Sequence, residues 1–170
     1  KLTVSWPRSA GQCPIYYAHN LTHQPDASPL FTSRYWDMPG SPQYPFGFGL
    51  SYTTFAYSNV RLDQAEARRG ETLHVSVDVE NTGQRPGEEV VQLYLHQCAG
   101  SASRPVRELK GFARIALAPG EKKAVQFALG PGELSFWSPT ENTWVQEAET
   151  FDVWVGGDST AALYATFKIV

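Results

Sequence analysis

Cysteine and methionine are scarce: Cys13, Cys98 and one methionine in 170 residues. Two thiols so far apart match no zinc-ligand spacing, so the expectation is a pair of free, mostly buried cysteines. Long apolar runs are absent. No stretch approaches the roughly 18 residues that span a bilayer, and Lys1–Arg8 lacks the apolar core of a signal peptide. Lys and Arg form no runs, and the formal net charge is -3. Nothing therefore draws a phosphate backbone or an anionic membrane surface, and no nucleic-acid or membrane partner is expected. A Gly-rich phosphate loop and a Ser-His-Asp spacing are both missing, and the chain calls for no cofactor. What is present is globular material, with 42% hydrophobic and 13% aromatic residues. That is enough for one well-packed domain and a smaller piece. The chain opens at Lys1 without a methionine, in what reads as mid-domain, so a piece of something longer is expected.

Two textures divide the chain. Residues 1–54 are punctuated by Pro7, Pro14, Pro25, Pro29, Pro39, Pro42 and Pro45, which exclude a long helix because proline lacks the amide donor. Aromatics crowd the same stretch, from Trp6, Tyr16 and Tyr17 to Tyr44, Phe46, Phe48 and Tyr52. A loop this long without structure does not suit a compact domain. The expected form is an irregular arm whose rings pack on a larger body. From Phe55 to Val170, short alternating runs separated by turn residues predict an antiparallel β-sandwich of seven or eight strands, fibronectin-III- or immunoglobulin-like. Leu73, Val75, Val77 and Val79 alternate with polar neighbours, and Val91, Leu93 and Leu95 share one face. The fold class is thus mainly β, with the arm at 1–54 and the sandwich at 55–170.

Three segments carry a resemblance. Tyr44-Pro45-Phe46-Gly47-Phe48-Gly49-Leu50-Ser51-Tyr52-Thr53-Thr54-Phe55 resembles the junction peptide of glycoside hydrolase family 3, the β-glucosidases and β-xylosidases. Trp6 to Tyr17 is similar to the end of that family's second domain. Val79 to Gly83, Gly87 to Tyr94, Leu109 to Phe112 and Leu117 to Glu121 resemble its fibronectin-III-like domain. The resemblance implies that the partners are the missing N-terminal catalytic domains and, through the complete enzyme, a β-glucoside or oligosaccharide. It also favours a periplasmic or secreted setting. Retaining glycosidases need two carboxylates about 5–5.5 Å apart. In this family both lie upstream of the segment matched here, so no catalytic residue is carried over. The chain alone should not hydrolyse glycosides.

The carboxylates present offer no substitute. Glu88 and Glu89 are adjacent in a strand and point to opposite faces. Glu147 and Glu149 read as a solvated edge. No metal site is expected: His19 and His23 have i, i+4 spacing, but Pro14 and Pro25 flank them, and His74 and His96 read as surface residues. One binding role stands out. Tyr35, Trp36 and Asp37 combine rings that stack on sugars with a group that bonds hydroxyls, which suits an outer substrate subsite. The competing reading is a carbohydrate-binding module with Trp137, Trp144 and Trp154 as its platform, although Trp154 stands opposite to Val153 and Val155.

Overall fold

The computed structural model describes residues 1–20 and 37–170. Strands β1 (Phe55–Leu62), β2 (Glu66–Ala67), β3 (Leu73–Asn81), β4 (Gly87–Gln97), β5 (Glu108–Leu117) and β6 (Lys122–Leu129) come first. A single helical turn α1 (Pro131–Leu134) leads to β7 (Phe136–Ser138), β8 (Thr143–Val145), β9 (Thr150–Gly156) and β10 (Leu163–Ile169). A three-stranded sheet has the order β1-β3-β6, and a five-stranded sheet the order β2-β10-β9-β4-β5. β7 and β8 form a separate hairpin. All pairings are antiparallel except the short β2–β10 contact. The mainly β sandwich read from the sequence is the architecture observed.

The pleat explains the core. Because successive side chains alternate, Leu73, Val75, Val77 and Val79 all point between the sheets, and each is fully buried. They meet Val91, Leu93, Val153 and Val155 from the five-stranded sheet. Phe151 and Phe167, partners across β9 and β10, stack with centroids 5.3 Å apart in the same layer. β1 bulges between Ser58 and Arg61, where Asn59 takes a positive φ of 54°, a conformation that asparagine tolerates.

One expected strand differs. Leu134–Trp137 reads as extended in sequence, yet its first residue closes α1 and the strand begins at Phe136. Pro131 needs no amide partner at the first helical position. The Glu133 carboxylate accepts the Gly130 N–H at 2.9 Å, which stabilises the turn.

The described residues of the arm are irregular, as its prolines require. They contain a 3-10 turn at Ala10–Gln12 and an antiparallel bridge between Trp6 and Tyr44, and Asn20 bridges to Pro105 of the sandwich. Leu2 N–H donates to Phe48 O, and Gly47 N–H donates to Leu2 O, both at 2.8 Å. Arg8 reaches Ser41 O and Gln43 Oε1, both at 3.0 Å, so the two stretches of the arm are tied into one layer.

Candidate functional site

The outer face of β4 is where the arm and the sandwich meet. Gln92 and Tyr94 point away from the core by strand parity, yet they are 3% and 0% exposed. The arm covers them. Phe46 stacks on Tyr17 at 4.1 Å, and both rings present an edge arrangement to Tyr94, at 6.5 and 5.8 Å. Tyr94 donates its hydroxyl proton to Gln92 Oε1 at 2.6 Å, and Gln92 Nε2 donates to Gly47 O at 3.2 Å. Burial, then the neighbouring Tyr17, pushes the Tyr94 hydroxyl well above the usual phenol range. Gly47 is obligatory here: its φ is +80°, and a Cβ would collide with the Gln92 amide.

Further clasps reach the end of β3. Thr53 donates to Asn81 Oδ1 at 2.6 Å, while the fully buried Asn81 gives its own N–H protons to Arg85 O and Leu117 O at 2.8 and 3.0 Å. Thr82 N–H donates to Thr54 O at 2.9 Å, so the Asn81-Thr82-Gly83 turn is fastened to the arm. At the sandwich mouth, Lys1 Nζ lies 2.8 Å from Glu89 and also donates to Gly157 O at 3.1 Å. Tyr57 donates to the same carboxylate at 3.1 Å. Burial first, and then the Glu89 charge, drives the Tyr57 hydroxyl far up. A buried carboxylate needs these partners.

Arg107 seals the neighbouring loop. Its guanidinium lies 4.3 Å from the Trp154 ring centroid and donates to Ser159 O and Ala161 O, at 2.6 and 2.8 Å. Desolvation holds its pKa below the usual arginine value. The Trp154 face is thus occupied from within the chain.

The outer surfaces of the two sheets contrast. On the three-stranded sheet, Asp78 accepts from Arg61 and Asn59, at 2.8 and 2.9 Å, and His74 pairs with Asp63 at 3.0 Å. The Arg61 and Asn59 hydrogen bonds hold the Asp78 carboxyl below its usual range. On the side of the arm and the five-stranded sheet, Leu50 and Tyr52 are each 93% exposed, Phe112 70% and Trp6 53%.

The expected site residues fare unevenly. Tyr35, Trp36 and His23 lie outside the described residues, while Asp37 is exposed. Glu88 is exposed and paired with Arg114, whereas Glu89 is buried, so the two point apart as the strand dictates. Glu147 is not a solvated edge. It lies between β8 and β9 and accepts from Ser101 N–H at 3.1 Å and from Gln97 Nε2 at 2.7 Å. Those bonds, Ser101 first, hold its pKa below the carboxylate norm. Glu149, half-buried, accepts the Thr150 N–H at 3.3 Å. The cysteines correct another expectation: both are free but exposed. Cys13 leaves the 3-10 turn toward solvent, and Cys98 lies just beyond β4, its Sγ 3.5 Å from Asp152. His96 is half-buried and bonds to Pro105 O at 2.7 Å. Among the described residues no group of His, Cys, Asp and Glu is placed to hold a metal ion, and no helix is long and apolar enough to cross a membrane.

Sequence reasoning missed the residues of the clasp: Lys1, Glu89, Gln92 and Tyr94. A signal was available in the run Glu89-Val90-Val91-Gln92-Leu93-Tyr94-Leu95, which is too apolar for a strand with one wet face.

Comparison with known proteins follows this geometry closely. Residues 89–159 match a fibronectin type III-like domain. The whole chain is 43% identical to a periplasmic beta-glucosidase of Salmonella typhimurium, of which it covers 22%. It is equally identical, over 95% of its length, to a beta-xylosidase of Formosa agariphila, covering 22% of that protein. Among solved structures, a beta-glucosidase from Listeria innocua in complex with glucose matches 98% of the chain with a TM-score of 0.91 and 37% identity, over 24% of that molecule. The chain thus spans about a fifth of the length of these relatives and lacks their catalytic domain. It belongs to the glycoside hydrolase family 3 enzymes, of which it carries the C-terminal, fibronectin type III-like part.

Proposed function

We propose that this chain is the structural buttress of a retaining β-glucosidase: residues 1–54 close the preceding domain and form the linking arm, and 55–170 form the supporting sandwich. The observation that carries this is the asymmetry of the outer surfaces. Leu50 and Tyr52 are almost wholly bare although the arm is bonded on both sides of them, at Phe48 and at Thr54, and Phe112, the cross-strand partner of Gln92, is bare on β5. A rigid apolar surface next to a polar one fits docking against the rest of the enzyme. The more deeply placed carboxylates are engaged in structural bonds, Glu89 with Lys1 and Tyr57, and Asp78 with Arg61 at 2.8 Å, rather than free for catalysis. The resemblance to enzymes named for β-glucosides and β-xylosides makes a neutral glycoside the substrate of the complete protein, and one relative's name supports a periplasmic setting.

The pure 170-residue chain is expected to leave p-nitrophenyl β-glucoside intact; turnover above a heat-killed control overturns the reading. Leu50→Ser with Tyr52→Ser should leave the melting temperature of this chain unchanged but lower that of the complete enzyme, and equal effects in both would count against docking.

Tyr35, Trp36 and Asp37 remain the proposed contribution to an outer subsite. Replacing Tyr35 by Ala in the complete enzyme should raise KM for disaccharides more than for small aryl glucosides, and equal rises would remove the assignment.

A further inference from the structure

The hairpin β7–β8 carries a feature that the buttress does not use. Phe136 and Ser138 face inward and are buried, and Arg104 lies over the Phe136 ring at 5.0 Å from its centroid. Trp137 and Trp144, partners across the hairpin, face outward together, 48% and 65% exposed. Their centroids are 6.0 Å apart with an interplanar angle of 76°. The orientation is fixed rather than loose, since Ser138 Oγ accepts the Glu141 N–H at 3.2 Å and Gln146 Oε1 accepts Gly70 N–H at 2.8 Å. An edge-to-face pair accounts for the register of so short a hairpin; it does not account for two indoles left bare to water.

From these observations we propose that Trp137 and Trp144 form a glycan-binding clip that grips a neutral β-glucan chain, distinct from the surface that docks the rest of the enzyme. The location separates the two. The hairpin is braced against the loops beside Gly70 and Arg104, near the end of β4 at Gln97, where the arm also reaches through the Val106 N–H bond to His19 O; the bare Leu50 and Tyr52 instead adjoin Ser51 and Thr53, which pack at its beginning beside Gly87. The chemistry selects the ligand. Residues 131–150 contain no Lys or Arg, and Arg104 beneath Phe136 is tied to Glu108 at 2.7 Å, so the hairpin itself offers a phosphate or sulfate polymer no free countercharge. The tip instead offers the exposed Glu141, Asn142 and Thr143, a carboxylate, an amide and a hydroxyl that can bond sugar hydroxyls beside an aromatic surface. Two rings ringed by polar groups are also far smaller than a stable protein–protein interface of about 800 Å² per partner.

Affinity electrophoresis of the 170-residue chain in gels containing hydroxyethyl cellulose, laminarin or dextran sulfate tests this without any catalytic readout, so it stands or falls apart from the buttress. The wild type should be retarded by at least one neutral glucan and not by dextran sulfate. Trp144→Ala should raise the apparent Kd at least tenfold, Trp144→Tyr should retain most of the binding, and Trp6→Ala should bind as wild type. Unchanged thermal unfolding of Trp144→Ala certifies its fold. Equal mobility of wild type and Trp144→Ala in every neutral gel overturns the proposal. So does retardation by dextran sulfate alone, or a concentration-dependent dimer in sedimentation that Trp144→Ala abolishes.

Discussion

The two sheets of this sandwich follow the same pleat but treat their outer faces in opposite ways. Outward residues of β3, such as His74 and Asp78, meet water and charged partners. Outward residues of β4, Gln92 and Tyr94, are sealed beneath the arm. Identical parity therefore gives a solvated surface on one side and a second, smaller interior on the other. The first sheet keeps a polar, charged outer face; the second supports a layer that itself presents bare aromatics. That difference is the physical basis for reading one side as solvent-facing and the other as joined to more protein.

The strongest way to break the comparison is to remove the arm. Deleting residues 1–54 uncovers Tyr94, Gln92 and the Glu89 mouth together, and a loss of about 3 kcal/mol or more lowers the melting temperature by about 10 °C or more. A change of only a degree or two, measured by calorimetry, would show that the arm is an ornament and the two faces equivalent.

Two glutamines sharpen the contrast. Gln92→Ala strands the Tyr94 hydroxyl in a buried site and is expected to cost about 2–3 kcal/mol. Gln126→Ala, exposed on β6 of the other sheet, should stay within about 0.5 kcal/mol. Chemical denaturation of both variants reads the difference directly, and similar costs would erase it.

Two glycines do the same for the backbone. Gly47 and Gly120 both have positive φ, at 80° and 73°, but a Cβ at Gly120 meets open space. Gly120→Ala should therefore cost about 1 kcal/mol from the strained conformation alone. Gly47→Ala adds a collision with Gln92 and should cost about 2–4 kcal/mol.

The smallest effect concerns pH. Glu147 has its folded pKa depressed by the Ser101 and Gln97 bonds. A depressed carboxylate adds stability above its unfolded pKa and loses it as pH falls through the folded one. The melting-temperature gap between wild type and Glu147→Gln should therefore be present at pH 7 and close as the solution is acidified through and below the ordinary carboxylate range. A constant gap would mean that the loop at Gln97–Ser101 does not depend on the charge.

Much of the molecule was legible in the chain itself. Alternation at Leu73–Val79 fixed an inward face, because a pleated strand has a period of two whatever surrounds it. Prolines between Pro7 and Pro45 ruled out helix in the arm through their missing donor. The Tyr44–Phe55 segment announced a junction. Other features had no local cause. Whether Cys13 and Cys98 are buried depends on what packs over them, and nothing in either neighbourhood of sequence says so. Glu147 looked like a wet edge because its partners, Gln97 at the end of β4 and Ser101 in the loop after it, lie far away in the chain. Trp137, Trp144 and Trp154 read as one possible platform, but only the hairpin pairing joins the first two, and Arg107 covers the third.

By itself the sequence determined which side of each strand faces the core and where the chain must turn, since those choices rest on side-chain chemistry and backbone sterics within a few residues. The tertiary structure alone decided the fate of the opposite sides. Water or protein can cover an outward-facing glutamine or tyrosine, and here the choice was made by an arm whose Gly47 and Phe46 arrive from more than forty residues upstream.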